Sequence, residues 1–313
     1  MNLQLCRTRL FSGLALATLL SIGCGESDLE ELHEARLDDA VAATNANSGS
    51  GADGEPSLSA ALPETLASDG YSLIFNDEFH GSELDSSKWH TALPWGPDVV
   101  INDEQQYYVD TIGDREFAHS PFAVANGVLT ISAVETPEAQ RAAANEQPWL
   151  SGVLSSAGKF DFTYGYVEAR IDLPTGQGVW PSFWMLDTAF EGLKPQLFVM
   201  ERNGSVPDSI FTNYEYVDEA GDSRSSGQFE IEQTALSEGF HTVGVSWSPE
   251  EFLFFLDGEP RYRIVGENVS SQAMYLVLNL AIGGTWSGPS DASTPRPTEW
   301  SIDYVRVWQG SRE

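Results

Sequence analysis

From Tyr71 onward the chain is built of short apolar or alternating runs separated by turn residues, a punctuation that suits a sandwich or barrel of β-strands and little else. Residues 122–134, 158–173, 179–187, 196–201, 240–247, 252–257, 274–282 and 300–308 read as strands, because aromatic and β-branched residues recur at alternate positions or fill the run. Asn126-Gly127 and Asp257-Gly258 fall between such runs, where a two-residue hairpin needs positive φ at both positions. No helix of ordinary length is signalled after residue 69, apart from a turn around 137–145, and no internal repeat is present. A chain of 313 residues with 41% hydrophobic and 11% aromatic content can bury one large core of about 240 residues.

The beginning of the chain reads differently. Arg7 and Arg9 precede an apolar run, 10–22, that ends in Gly23-Cys24 and is too short for a comfortable membrane span. A cysteine after Leu20-Ser21-Ile22-Gly23 resembles a bacterial lipobox, although Ser21 departs from the usual aliphatic residue; ordinary secretion is the other reading. Residues 1–23 are therefore expected to be a signal peptide of the lipoprotein type, with Cys24 lipidated. Residues 24–69, acidic and then rich in Ala, Ser and Gly, are expected to form a disordered tether, and 70–310 the folded domain. Cys6 lies inside the signal, so no internal disulfide is expected in the mature chain. The expected setting is an outer-membrane or cell-surface lipoprotein, otherwise a secreted protein, touching membrane only through its lipid. A formal charge of −31 with 16 scattered basic residues argues against a nucleic-acid partner.

Separated landmarks carry a family resemblance. They run from Asp77-Glu78-Phe79 with Trp89 and Asn126-Gly127-Val128-Leu129 to the strand Tyr164-Gly165-Tyr166-Val167-Glu168-Ala169-Arg170. Phe240-His241-Thr242 with Trp247, Asp257-Gly258, Leu278-Asn279-Leu280-Ala281-Ile282-Gly283-Gly284 and Asp303-Tyr304-Val305-Arg306-Val307 complete the series. In this order they resemble glycoside hydrolase family 16, the laminarinase and β-glucanase type, across nearly all of 71–309. The resemblance implies an all-β jelly-roll sandwich of two curved antiparallel sheets, concanavalin A-like, with a groove for a polysaccharide. It also implies a monomer with no required cofactor.

Within the resemblance, Gln196-Leu197-Phe198-Val199-Met200-Glu201 stands where the family reads Glu-Ile-Asp-Ile-Met-Glu. Glu201 matches the acid/base, Gln196 replaces the nucleophile and Phe198 replaces the intervening Asp. A regular strand would put Gln196 and Glu201 on opposite faces, and the family version returns the last acid to the cleft with a β-bulge. Retaining hydrolysis needs two carboxyls about 5 Å apart, one of them a nucleophile, and an amide cannot serve as that nucleophile. The standard double displacement should therefore fail.

Trp180, Ser182 and Trp184 share one face of a strand. Alternation alone suits core packing equally well, and the resemblance assigns the two tryptophans to sugar stacking. It likewise implies polar contacts from Asn102, Gln106 and Arg170, and a structural calcium at Asp303. Three functions follow as expectations: a tethered β-glucan-binding pseudo-enzyme; an inverting hydrolase using Glu201 with a loop acid such as Asp187 or Glu191; and a structural or protein-binding lipoprotein with a filled groove. A β-1,3-glucan is the first ligand expected and a galactan the second.

Overall fold

The computed structural model describes residues 62, 63, 66, 70–96, 99–113, 117, 119–189, 194–266 and 268–310. The signal segment, Cys24, most of the tether and Glu191 lie outside these residues. In chain order the strands begin β1 (Ser72–Asp77), β2 (Gln106–Tyr108), β3 (Phe122–Ala125), β4 (Val128–Glu135), β5 (Trp149–Ser151), β6 (Val153–Ser155), β7 (Asp161–Phe162), β8 (Gly165–Asp172) and β9 (Val179–Asp187). They continue β10 (Gln196–Glu201), β11 (Ser209–Val217), β12 (Ser223–Ser225), β13 (Phe229–Glu232), β14 (Phe240–Trp247), β15 (Glu251–Leu256), β16 (Glu259–Val265), β17 (Met274–Ile282) and β18 (Thr298–Gln309). A 3₁₀ turn, Glu138–Gln140, occupies the place where the sequence signalled one.

These strands form two sheets. One runs β16-β15-β14-β8-β18-β4-β5-β2, with β1 on β18 and β3 on β4; the other runs β12-β11-β10-β9-β17-β6, with β13 on β11 and β7 on β17. The pairing is antiparallel except between β2 and β5. This is the jelly-roll sandwich that the sequence led us to expect.

The core lies between the sheets. Val167, Ala169 and Ile171 of β8 and Val305 and Val307 of β18 meet Phe183 and Met185 of β9 and Leu276, Leu278 and Leu280 of β17, all fully buried. Each such side chain contributes about 1.5–3 kcal/mol of burial. Because successive side chains alternate, the same strands leave Trp180, Ser182 and Trp184 on the far face of the second sheet, and Tyr166, Glu168 and Arg170 on the far face of the first. The two hairpins form as expected. Asn126 and Gly127 join β3 to β4 at φ 54° and 77°, and Asp257 and Gly258 join β15 to β16 at φ 54° and 80°.

One detail differs from the sequence reading: β11, which did not stand out in the sequence, pairs along β10. The folded unit also begins before residue 70. Leu66 is 8% exposed and, with Leu62, packs on Tyr166, Phe255 and Trp308 on the outer face of the first sheet. These two leucines find an apolar surface to cover. Leu66→Ala is expected to cost about 1–2 kcal/mol, measured by thermal or urea denaturation.

Candidate functional site

The site is built on a register shift. Along β9 the partners of β10 run Gln196↔Leu186, Leu197↔Met185 and Phe198↔Trp184, and then resume as Met200↔Phe183 and Glu201↔Ser182. Val199 is the extra residue of a β-bulge. Leu197, Val199 and Met200 therefore enter the core, and Gln196, Phe198 and Glu201 all line one cavity of about 590 Å³ on the second sheet. Trp180, Ser182 and Trp184 line it beside them, as do Asn213 and Glu215 of β11 and Asn279 of β17.

Aromatic rings form its floor and one wall. Phe198 stacks on Trp184 at 5.7 Å with the planes 18° apart, and Trp286 meets Trp180 at 5.0 Å and Phe211 edge-on at 5.2 Å. Hydrogen bonds hold the rings in place. Trp184 Nε1 donates to Asn279 Oδ1 at 2.8 Å, Asn279 Nδ2 donates to the Tyr108 hydroxyl at 3.0 Å, and Trp286 Nε1 donates to Gln228 at 3.0 Å. Gly284, at φ 112°, permits the Trp180 ring to lie close: a Cβ there would stand 3.1 Å from it.

Three carboxyls share the cavity. Glu201 is buried and accepts a bond from Trp180 Nε1 at 3.0 Å. Burial, with the fields of Glu215 and Glu104, pushes its pKa up to about 8 against the pull of Trp180 and Gln228. Glu104 is also buried, and despite donors from Gln106 at 2.6 Å and Asn102 at 3.2 Å its pKa rises to about 7. Glu215 sits directly across the strand pair from Gln196, accepts its amide at 2.7 Å and forms an ion pair with Lys194 at 3.1 Å. At neutral pH the site thus holds a protonated acid at 201, able to donate, and no carboxylate at 196.

A family model described as "Beta-porphyranase A-D, GH16 domain" matches residues 73–310. The chain belongs to glycoside hydrolase family 16. It is 35% identical over 244 residues to the endo-1,3-1,4-β-glycanase ExsH of Rhizobium meliloti, covering 76% of this chain and 51% of that protein. It is 30% identical over 264 residues to a β-glucanase of Rhodothermus marinus, covering 76% and 85%. The chain thus spans about half the length of the Rhizobium enzyme. The solved endo-β-1,3-glucanase of Pyrococcus furiosus superposes with a TM-score of 0.61 at 29% identity, covering 78% of this chain and 96% of that one.

The cavity brings together Glu201, Gln196, Phe198, Trp180, Trp184 and Asn102. It does not bring in Gln106 or Arg170. Gln106 is buried beneath the cleft, where its amide donates to Glu104 and its oxygen accepts from the Ile282 N–H at 2.8 Å. Arg170 faces outward from the other sheet, bonded to Asp303 at 2.6 Å and lying over Phe240. Asp303, the residue considered from sequence for a structural calcium, is the partner of that guanidinium.

Asp187, considered from sequence as a second acid, caps its own turn through the Ala189 N–H at 2.8 Å and does not line the cleft. Glu104, Glu215 and Trp286 were missed. Glu104 lies between the two amides that the sequence did single out, and the period-two burial of Ile210, Thr212 and Tyr214 was the signal that would have turned Glu215 toward the groove.

Proposed function

We propose that this protein binds a β-glucan in the cleft and has lost the retaining double displacement of its family. The observation that carries this is the replacement pair. Gln196 is an amide engaged with Glu215, and Phe198, in place of the intervening acid, extends the Trp184 surface into a flat apolar floor. Stacking rings with a few placed polar groups suit a sugar chain. Among the described residues, acidic side chains line the groove and no Lys or Arg does, which favours a neutral glycan over an anionic one. The relatives named as β-glucanases make a β-1,3-glucan the first ligand to try and a galactan the second. The proposed setting is the cell surface, through a lipid on Cys24. The open cavity argues against a purely structural role.

Calorimetric titration of the full chain with β-1,3-linked glucose oligomers tests the reading, and no heat from folded protein with any glucan or galactan would sink it. Trp286→Ala should weaken binding about tenfold, the equivalent of ~1.4 kcal/mol, through loss of the ring that braces Trp180.

A further inference from the structure

Beside its aromatic floor the cleft carries a row of polar groups on β10 and β11. Gln196 is paired with Glu215 and Phe198 with Asn213, and all four residues line the cavity. Gln196 lies two residues along β10 from Phe198, which is about 6.7 Å of strand. A sugar ring lying flat on the Phe198 and Trp184 stack therefore turns its rim, and the hydroxyls in the plane of the ring, toward the polar row.

The hydrogen bonds of this row all run toward one group. Ser225 Oγ donates to Asn213 Oδ1 at 2.8 Å, and Asn213 Nδ2 approaches Glu215 Oε1 at 3.4 Å. Gln196 Nε2 and Lys194 Nζ both lie on Glu215 Oε2, at 2.7 and 3.1 Å. A carboxylate offers about four lone-pair positions, so these contacts fill Oε2 and leave room on Oε1, where the Asn213 contact is long. Gln196 Oε1 is a second acceptor, reached by no donor among the described residues. Glu104 is less available, because both of its oxygens already accept, from Gln106 and from Asn102.

We infer that Glu215 determines which ligand the cleft accepts: its carboxylate, held by Gln196 and Lys194, takes a hydroxyl at the rim of the sugar unit stacked on Phe198 and Trp184, and Gln196 Oε1 takes a neighbouring one. The inference rests on the glycan binding proposed above. A wall of acceptors requires donors from the ligand, and the donors of a neutral glycan are its free hydroxyls. A unit that lacks the hydroxyl leaves the carboxylate unpaired in the complex, and a unit that carries a sulfate or carboxylate there sets acceptor against acceptor. The ligand class is thus a neutral chain whose units keep free in-plane hydroxyls beside the stacked face.

The test is calorimetric titration of the full chain, as wild type and as Glu215→Gln, with a β-1,3-linked glucose hexamer and with hexamers built from 2-, 4- or 6-deoxyglucose, the three positions that a β-1,3 link leaves free. Wild type should bind at least one deoxy hexamer about tenfold more weakly than the parent. In Glu215→Gln the new amide oxygen takes the Gln196 and Lys194 donors and its NH₂ is left to face the ligand. This variant should bind the parent about tenfold more weakly and no longer distinguish it from that deoxy hexamer. A merely structural role would weaken every hexamer alike and preserve the distinction, which would overturn the inference. Unchanged affinity of Glu215→Gln for the parent, or equal binding of the parent and all three deoxy hexamers by wild type, would overturn it as well and leave the binding function standing. Failure of wild type to bind any hexamer would remove both. The deoxy series is read on wild type, so misfolding of the variant does not spare the inference.

Discussion

Glu201→Gln should stabilise the protein, and by more as the pH rises. Below about 4.5, the ordinary value of a glutamate, the side chain is protonated in both folded and unfolded chains and its titration contributes nothing. Between 4.5 and about 8 the folded protein retains a proton that the unfolded chain releases, so stability falls as pH climbs through this window and the loss is complete above 8. That gap, at about 1.4 kcal/mol per pH unit, amounts to about 5 kcal/mol. Glutamine keeps an oxygen for the Trp180 N–H and carries no charge to desolvate. Calorimetric melting at pH 5 and pH 9 should therefore show a small advantage for the variant at the lower pH and about 10 °C at the higher. An advantage that does not grow with pH would mean that Glu201 is not a buried acid under strain.

Much of this site was legible in the sequence, and the reason is geometric. The order of landmarks implied the sandwich, and the family resemblance of the stretch 196–201 implied a bulge, which the register shift at Val199 bears out. Alternation places Trp180, Ser182 and Trp184 together, although only the family resemblance could say that their face is groove and not core.

What alternation could have corrected was Arg170. It shares parity with Tyr166 and Glu168, opposite the core residues Val167, Ala169 and Ile171, and so had to face outward. Loop residues obey no such rule. Asn102 and Asp103 both have φ near 55°, and the resulting turn sends Glu104 into the cleft and Gln106 beneath it. Trp286 follows Gly283 and Gly284 in another loop, and its approach to Trp180 depends on backbone angles that no periodicity records. Glu215 was hidden because its strand, β11, did not stand out in the sequence.

Restoring the family's acids should restore retaining hydrolysis, and the two substitutions should act very unequally alone and together. Gln196→Glu by itself removes the amide that donates to Glu215 at 2.7 Å and sets a second carboxylate against the first, with Lys194 alone to offset the repulsion. The expected result is a loss of about 1–3 kcal/mol in stability and no retaining hydrolysis, because Phe198 still supplies no hydrogen bond between the two acids. Adding Phe198→Asp gives up the stack on Trp184 but restores a polar group between positions 196 and 201. The double variant should hydrolyse β-1,3-glucan at least 10²-fold faster than the single one and release the β-anomer first. It should also form a covalent adduct at residue 196 with a 2-deoxy-2-fluoro glycoside, visible by mass spectrometry of the intact protein. Fast retaining hydrolysis by Gln196→Glu alone would show that the middle residue matters less than its position between the acids suggests.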